Sequence, residues 1–144
     1  MHSRGDVADM ATFVHAVYGE DPVGDVIAEL RTCVERATLA GVGRERIVLD
    51  PGIGFSKRGE QSLAMLAQLG RFVELGFPIL VGVSRKRFIG EITGVGTPTE
   101  RVAGTVGANV MALQRGARLF RVHDVKPARE ALDVAWAIMH SGPT

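Results

Sequence analysis

Hydrophobic positions along this 144-residue chain recur with two periods, and the chain switches between them several times. Over residues 25–40, Val26, Ile27, Leu30, Val34 and Ala37 fall three or four apart, the spacing that lines one face of a helix. Asp25 suits the start of that helix and Gly41 the position just past its end. Residues 46–50 (RIVLD) form a short aliphatic run instead, which predicts a buried strand. Residues 60–75 predict a second helix, with Leu63, Leu66, Leu69 and Val73 inward and Gly76 as its stop. Residues 78–83 (PILVGV) predict the second strand. Residues 99–115 predict a helix opened by Thr99 and closed by Gly116, and residues 118–122 (RLFRV) the third strand. Residues 127–140 predict the last helix, with Pro127 in its first turn and Leu132, Ala135, Trp136 and Met139 inward. Residues 6–24 carry an apolar scatter (Val7, Met10, Phe13, Val14, Tyr18) and then a loop from Gly19 to Gly24.

Strands that are apolar on both faces and separated by helices pair in parallel, with right-handed helical crossovers. No repeat, low-complexity tract or internal linker divides the chain, so a single α/β domain is expected. Hydrophobic residues make up 46% and charged residues 23%, which excludes a disordered chain. The net charge of +1 offers no broad field to nucleic acid or an anionic membrane, so any positive charge that matters is local. Cys33 is the only cysteine, which rules out an intrachain disulfide, and its helical setting predicts a packed thiol. No apolar run approaches the roughly 20 residues of a membrane span. No basic segment followed by an apolar stretch opens the chain. A cytoplasmic, enzyme-like domain is the expectation.

Polar chemistry collects at the carboxyl ends of the predicted strands, where parallel α/β folds bind ligands. After the first strand come Asp50, a Pro-Gly-x-Gly turn, Phe55 and Lys57. Asp50 reads either as a turn cap or as an acceptor for a ligand's N–H groups, and the glycines favour the second by letting a ligand approach the backbone. Phe55 reads as a lid packed on the core or, preferably, as a stacking surface for a flat ligand. After the second strand come Ser84, Arg85 and Lys86. Surface basic pairs are usually just solvated, but beside a hydroxyl at a strand end a lysine can meet a phosphate or a ring atom. After the third come Arg121 and His123, two apart and so on one side of an extended segment, where both can donate to one anion. Asp124 then sets the histidine tautomer or caps the next helix. His2, His15 and His140 lack a comparable setting and read as structural or incidental. No cysteine and histidine cluster has zinc spacing, and no phosphate-loop or dinucleotide fingerprint occurs.

The runs LDPGIGFSK, LVGVSRKRFIG and RVHDV, in this order and spacing, resemble the C-terminal half of dihydropteroate synthase. Met1-His2-Ser3-Arg4-Gly5 resembles the segment that ends that family's fifth barrel strand. The resemblance implies that residues 1–144 form the C-terminal half of a pterin-binding (β/α)8 TIM barrel, about strands 6–8 with helices 5–8. It implies folate biosynthesis: the condensation of dihydropterin pyrophosphate with p-aminobenzoate to dihydropteroate and pyrophosphate, with sulfonamides as competing inhibitors. Asp50 would hold the pterin's amino and ring N–H groups, with Gly82 giving the ring room and Lys86 at the pterin edge. Phe55 would sit beside the pterin and the aminobenzoate ring, and Ser84 would meet the aminobenzoate carboxylate. Arg121 and His123 would bind the pyrophosphate, and these two with Lys86 would carry catalysis.

The resemblance further implies a cytoplasmic homodimer that binds neither nucleic acid nor membrane. Ser56 stands where the family usually has glycine, which would stiffen the loop. The family runs to about twice this length. Its magnesium-binding Asn, further pterin-binding Asp and Asn residues and two mobile loops belong to an N-terminal half with no counterpart here. No metal ligand is therefore expected in this chain, and the 144 residues alone are expected to be inactive. The alternatives are a non-catalytic half-barrel that binds pterin or phosphate, and a methyl-transferring pterin barrel. The pattern of Ser84-Arg85-Lys86 with Arg121-x-His123 speaks against the last. A half-barrel with open strand edges is also expected to self-associate or to need a partner.

Overall fold

A computed structural model describes residues 1–3 and 17–142. The expectations for Arg4, Gly5, Val7, Met10, Phe13, Val14 and His15 lie outside them. The first helix, α1 (Pro22–Leu39), starts earlier than the apolar spacing predicts, because Asp21 and Pro22 are the stronger start signal. The Asp21 carboxylate accepts from Gly24 N–H at 3.0 Å, while Asp25 turns back to accept from Gly19 N–H at 2.7 Å. Gly41 follows the helix with φ +87°, the left-handed stop that glycine supplies without strain. Val26 and Leu30 are buried as the spacing requires, but Cys33 is exposed, contrary to the packed thiol expected: it shares their face but lies a turn further on, where no residue of the helix is buried.

The predicted strand at 46–50 shrinks to one parallel bridge, Leu49 to Ile79, because Arg44–Arg46 closes a 3₁₀ turn just before it. The next strands are short as well: β1 (Leu80–Val81) pairs in parallel with β2 (Leu119–Phe120), in the register Leu80 to Leu119. On the other side of the bridge, His2 N–H donates to Asp50 C=O at 2.8 Å. The lateral order is therefore His2, Leu49–Asp50, β1, β2. Among the described residues nothing pairs with the outer edge of β2.

The helix expected over 60–75 is two, α2 (Gly59–Ala67) and α3 (Leu69–Val73), broken at Gln68. The break rotates the buried face, so that Met65, Leu69 and Phe72 are inward while Leu63 and Val73 are exposed. A helix that periodicity did not reveal, α4 (Arg87–Thr93), follows β1. Its central Gly90 weakens the local signal, but Phe88 and Ile89 anchor it in the core. Next come α5 (Val102–Gln114), starting after the Thr99 signal that falls in a 3₁₀ turn (Pro98–Glu100), and α6 (Val125–Met139). Pro127 does sit in the first turn of α6, but Trp136 and Met139 are exposed, not inward. That helix packs chiefly on α5, so its last turns have no covering layer among the described residues. The core lies between the sheet and the helices α1 to α4, around Phe72, Ile53, Met65 and Ile79. Burying each such side chain contributes roughly 1.5–3 kcal/mol.

Candidate functional site

The parallel pairing brings all three predicted strand ends to one end of the sheet. Asp50 is nearly buried, and its Oδ1 accepts from Gly52 N–H at 2.8 Å, while Oδ2 lies 3.8 Å from Arg121 Nη2. The turn that follows depends on backbone shapes open to few residues. Gly52 has φ +66°, and Ser56, at the position where the resembling family has glycine, is itself left-handed with φ +48°. Its hydroxyl donates to Phe55 C=O at 2.8 Å and lies 3.3 Å from the Tyr18 hydroxyl, which holds the strained residue in place. Lys57 Nζ donates to the Gly52 and Phe55 carbonyls, both at 3.1 Å, and lies 3.2 Å from His2 Nδ1. His2 Nε2 pairs in turn with Glu29. His2 is thus the structural histidine expected, and it supports the loop from below.

Lys86 crosses the same loop. Its ammonium lies 3.6 Å from the Phe55 ring centroid and donates to the Ile53 carbonyl. Burial pulls its pKa down from 10.5 to about 8; the Asp50 carboxylate opposes that shift and the Arg121 guanidinium adds to it. A side-chain carbon placed on Gly82 would meet Arg121 Nη2 at 3.0 Å, so Arg121 lies against that glycine. Asp50, Phe55, Gly82, Lys86 and Arg121 therefore form one continuous patch.

Ser84 and His123 form a second group beside it. The Ser84 hydroxyl accepts from His123 N–H at 3.1 Å and lies 2.8 Å from His123 Nδ1. Asp124 neither sets the histidine tautomer nor caps the helix. It occupies the position before α6 without a side-chain cap bond, because its carboxylate takes the Arg85 guanidinium at 2.6 and 3.0 Å. That pairing holds the Asp124 pKa below the usual carboxylate value. Arg85 thus points away from Lys86, and the two are not a solvated basic pair. His140 lies apart, stacked 4.0 Å from Trp136 at the far end of α6.

Two further residues support this arrangement and were not predicted. Thr105 Oγ1 accepts from Arg85 N–H at 3.0 Å, and Arg101 Nη1 donates to Arg85 C=O at 3.0 Å. Both belong to the entry of α5, at separations along the chain where no local pattern could signal them. Among the described residues no three His, Cys, Asp or Glu side chains converge on a common metal position, and no helix is long and apolar enough to cross a membrane.

The family described as pterin binding enzyme matches residues 1–123. The dihydropteroate synthase of Synechocystis sp. is 42% identical over 142 residues, covering 96% of this chain and 47% of that protein. The dihydropteroate synthase of Thermus thermophilus, solved in complex with 4-aminobenzoate, is 47% identical with a TM-score of 0.88, over 96% of this chain and 55% of that one. The Xanthomonas albilineans enzyme, solved in complex with 7,8-dihydropteroate, is 44% identical with a TM-score of 0.84, over 88% of this chain and 48% of that one. The chain spans about half the length of the relatives it matches.

Proposed function

This chain belongs to the pterin-binding enzyme family, among the dihydropteroate synthases, and from that premise we propose that it serves the joining of p-aminobenzoate to dihydropterin pyrophosphate in folate biosynthesis. The observation that carries the proposal is the patch itself: one nearly buried carboxylate, one aromatic ring and two cations at the carboxyl end of the sheet. Asp50 accepts from the pterin's amino and ring N–H groups, which only a carboxylate can do at two oxygens without donating back. Gly82 leaves room for the flat ring once Arg121 swings toward the anion, and Lys86 donates to the pterin edge. Phe55 packs beside the pterin and the aminobenzoate ring, and Ser84 meets the aminobenzoate carboxylate.

In the reaction the amine nitrogen forms the new C–N bond. The C–O bond to pyrophosphate breaks with its electron pair leaving on oxygen, and the amine's proton passes to solvent. Arg121 and His123 lower the barrier by stabilising charge on the departing pyrophosphate. No side-chain nucleophile is needed. We place the chain at barrel strands 6–8 with helices 5–8, as the C-terminal half of the barrel and in the cytoplasm. Magnesium, which the family implies, would take its protein ligand from the family's N-terminal half. Sulfonamides then compete at the Phe55 and Ser84 side of the patch.

Calorimetric titration with dihydropterin pyrophosphate tests this reading. Saturable binding is expected at pH 7. It weakens about tenfold as the pH rises through 8, because Lys86 loses the proton that makes its hydrogen bonds charge-assisted. Lys86→Arg keeps its charge and holds the affinity to pH 9.5. Absence of binding at every pH overturns the proposal. Binding without dihydropteroate formation is expected of the 144 residues alone. If longer proteins that carry this sequence also bind without turnover, the alternative reading of a non-catalytic pterin or phosphate binder stands instead.

The homodimer is proposed to form on the outer face, where Leu63, Ile92 and Met111 are exposed around a groove floored by Gly104 and Gly107. Sedimentation at tens of micromolar is expected to show a dimer that Met111→Glu dissociates. A monomer for the unaltered chain rejects that surface.

A further inference from the structure

We propose that Arg85 is a positioning residue, which through Asp124 holds the Arg121–His123 segment in register against the loop that carries Ser84 and Lys86. The proposal rests on the reading of Arg121 and His123 as the pyrophosphate clamp. Two loops from neighbouring strands must keep a fixed spacing if one anion is to meet groups from both. The described structure links them twice: through His123 on Ser84, and through the two-pronged bond of Arg85 on Asp124 at 2.6 and 3.0 Å. The second link is partly buried, with about a quarter of each side chain exposed (25% and 21%), so salt screens it less than a surface pair. A planar guanidinium on a carboxylate fixes orientation as well as distance, which a lysine cannot do.

Three features show that Arg85 is held for this purpose. Its φ is +59°, a left-handed value that a residue with a side chain adopts only where its surroundings impose it. Both of its backbone groups are tied down, the N–H by Thr105 and the carbonyl by Arg101. That anchoring aims the side chain across to the next loop. Asp124 in turn gives up a helix cap, the role its residue type and position would normally fill, in order to receive it. Because Asp124 directly follows His123, fixing the carboxylate restrains the neighbouring residue whose N–H meets Ser84.

The test uses Arg85→Lys and Asp124→Asn in the full chain, titrated with inorganic pyrophosphate and, separately, with 6-hydroxymethylpterin as a ligand for the Asp50 side. Both variants are expected to bind pyrophosphate about tenfold more weakly and the pterin within twofold of the unaltered chain. Asp124→Asn is the decisive arm. It removes a negative charge near the anion, so simple electrostatics predicts tighter binding, whereas lost positioning predicts weaker. Pyrophosphate binding by Asp124→Asn that equals or exceeds the unaltered chain's overturns the proposal. Equal weakening of both ligands also overturns it, since that marks a general effect on folding. Should the unaltered chain take up no pyrophosphate, the clamp reading falls, and amide exchange at His123 decides the positioning role. Exchange about tenfold faster in Arg85→Lys supports it, and an unchanged rate rejects it.

Discussion

Asp50→Ala is expected to lower the affinity for dihydropterin pyrophosphate by about two orders of magnitude. Asp50 is 9% exposed, so hydrogen bonds to it from a bound ring face little competition from water. Bonds to a charged acceptor contribute about 1.5–3 kcal/mol each, and losing two of them at the lower figure corresponds to roughly a hundredfold in affinity. The alanine variant has a second consequence, since Oδ1 also receives Gly52 N–H and its removal loosens the turn. Asp50→Asn separates the two effects. Its amide oxygen can keep the Gly52 bond, while its NH₂ opposes a donor on the ligand. A loss as large for asparagine as for alanine, with unchanged thermal stability, assigns the effect to ligand recognition. A change below threefold in both variants removes Asp50 from the site.

Gly52→Ala is expected to be the most damaging glycine substitution near the site. A side-chain carbon at Gly52 would lie 1.7 Å from the His2 carbonyl oxygen, at a backbone φ of +66°. The neighbour is backbone and cannot rotate away, so either the His2 segment leaves Asp50 or the turn deforms. Steric overlap and left-handed strain together cost about 3–5 kcal/mol, enough to lower the thermal midpoint by ~10 °C in a chain of this size. Gly94→Ala is the matched control. Its φ is +74°, but the added carbon would meet nothing within 4 Å, so only the conformational cost of about 1–2 kcal/mol remains. Circular dichroism melts of the two variants compare them directly. Equal shifts mean that the approach of His2 does not explain the glycine.

Loss of the His2 contact also bears on the mechanism, because His2 and Lys57 together hold the carbonyls of Gly52 and Phe55. A displaced loop moves Phe55 off Lys86 and exposes the ammonium, which lets the Lys86 pKa return toward its ordinary value. The pH dependence proposed for binding then shifts upward in Gly52→Ala along with the loss of stability.

The sequence by itself determined the main alternation of helices and strands, apart from α4 and the break at Gln68, together with the helix stops and the identity of the groups at the strand ends. These features depend on near neighbours. Gly41, Gly76 and Gly116 all take the positive φ that a helix stop uses, and the period of apolar residues is a property of a few turns of chain. The three motifs LDPGIGFSK, LVGVSRKRFIG and RVHDV also sufficed to indicate the family.

Only the tertiary structure decided which polar groups pair and which faces are covered. Ser84 meets His123, and Arg85 meets Asp124, across 39 residues of sequence, because the register of β1 on β2 brings the two loops together. The break at Gln68 and the single-sided packing of α6 decided that Leu63, Trp136 and Met139 are exposed, although their spacing reads as inward. The reduction of the Lys86 pKa to about 8 belongs here too, since it arises from burial and from the Arg121 guanidinium, against the opposing Asp50 carboxylate, and both charges come from distant segments. Local propensity reaches a few residues along the chain, whereas burial and charge act through space once distant segments have packed.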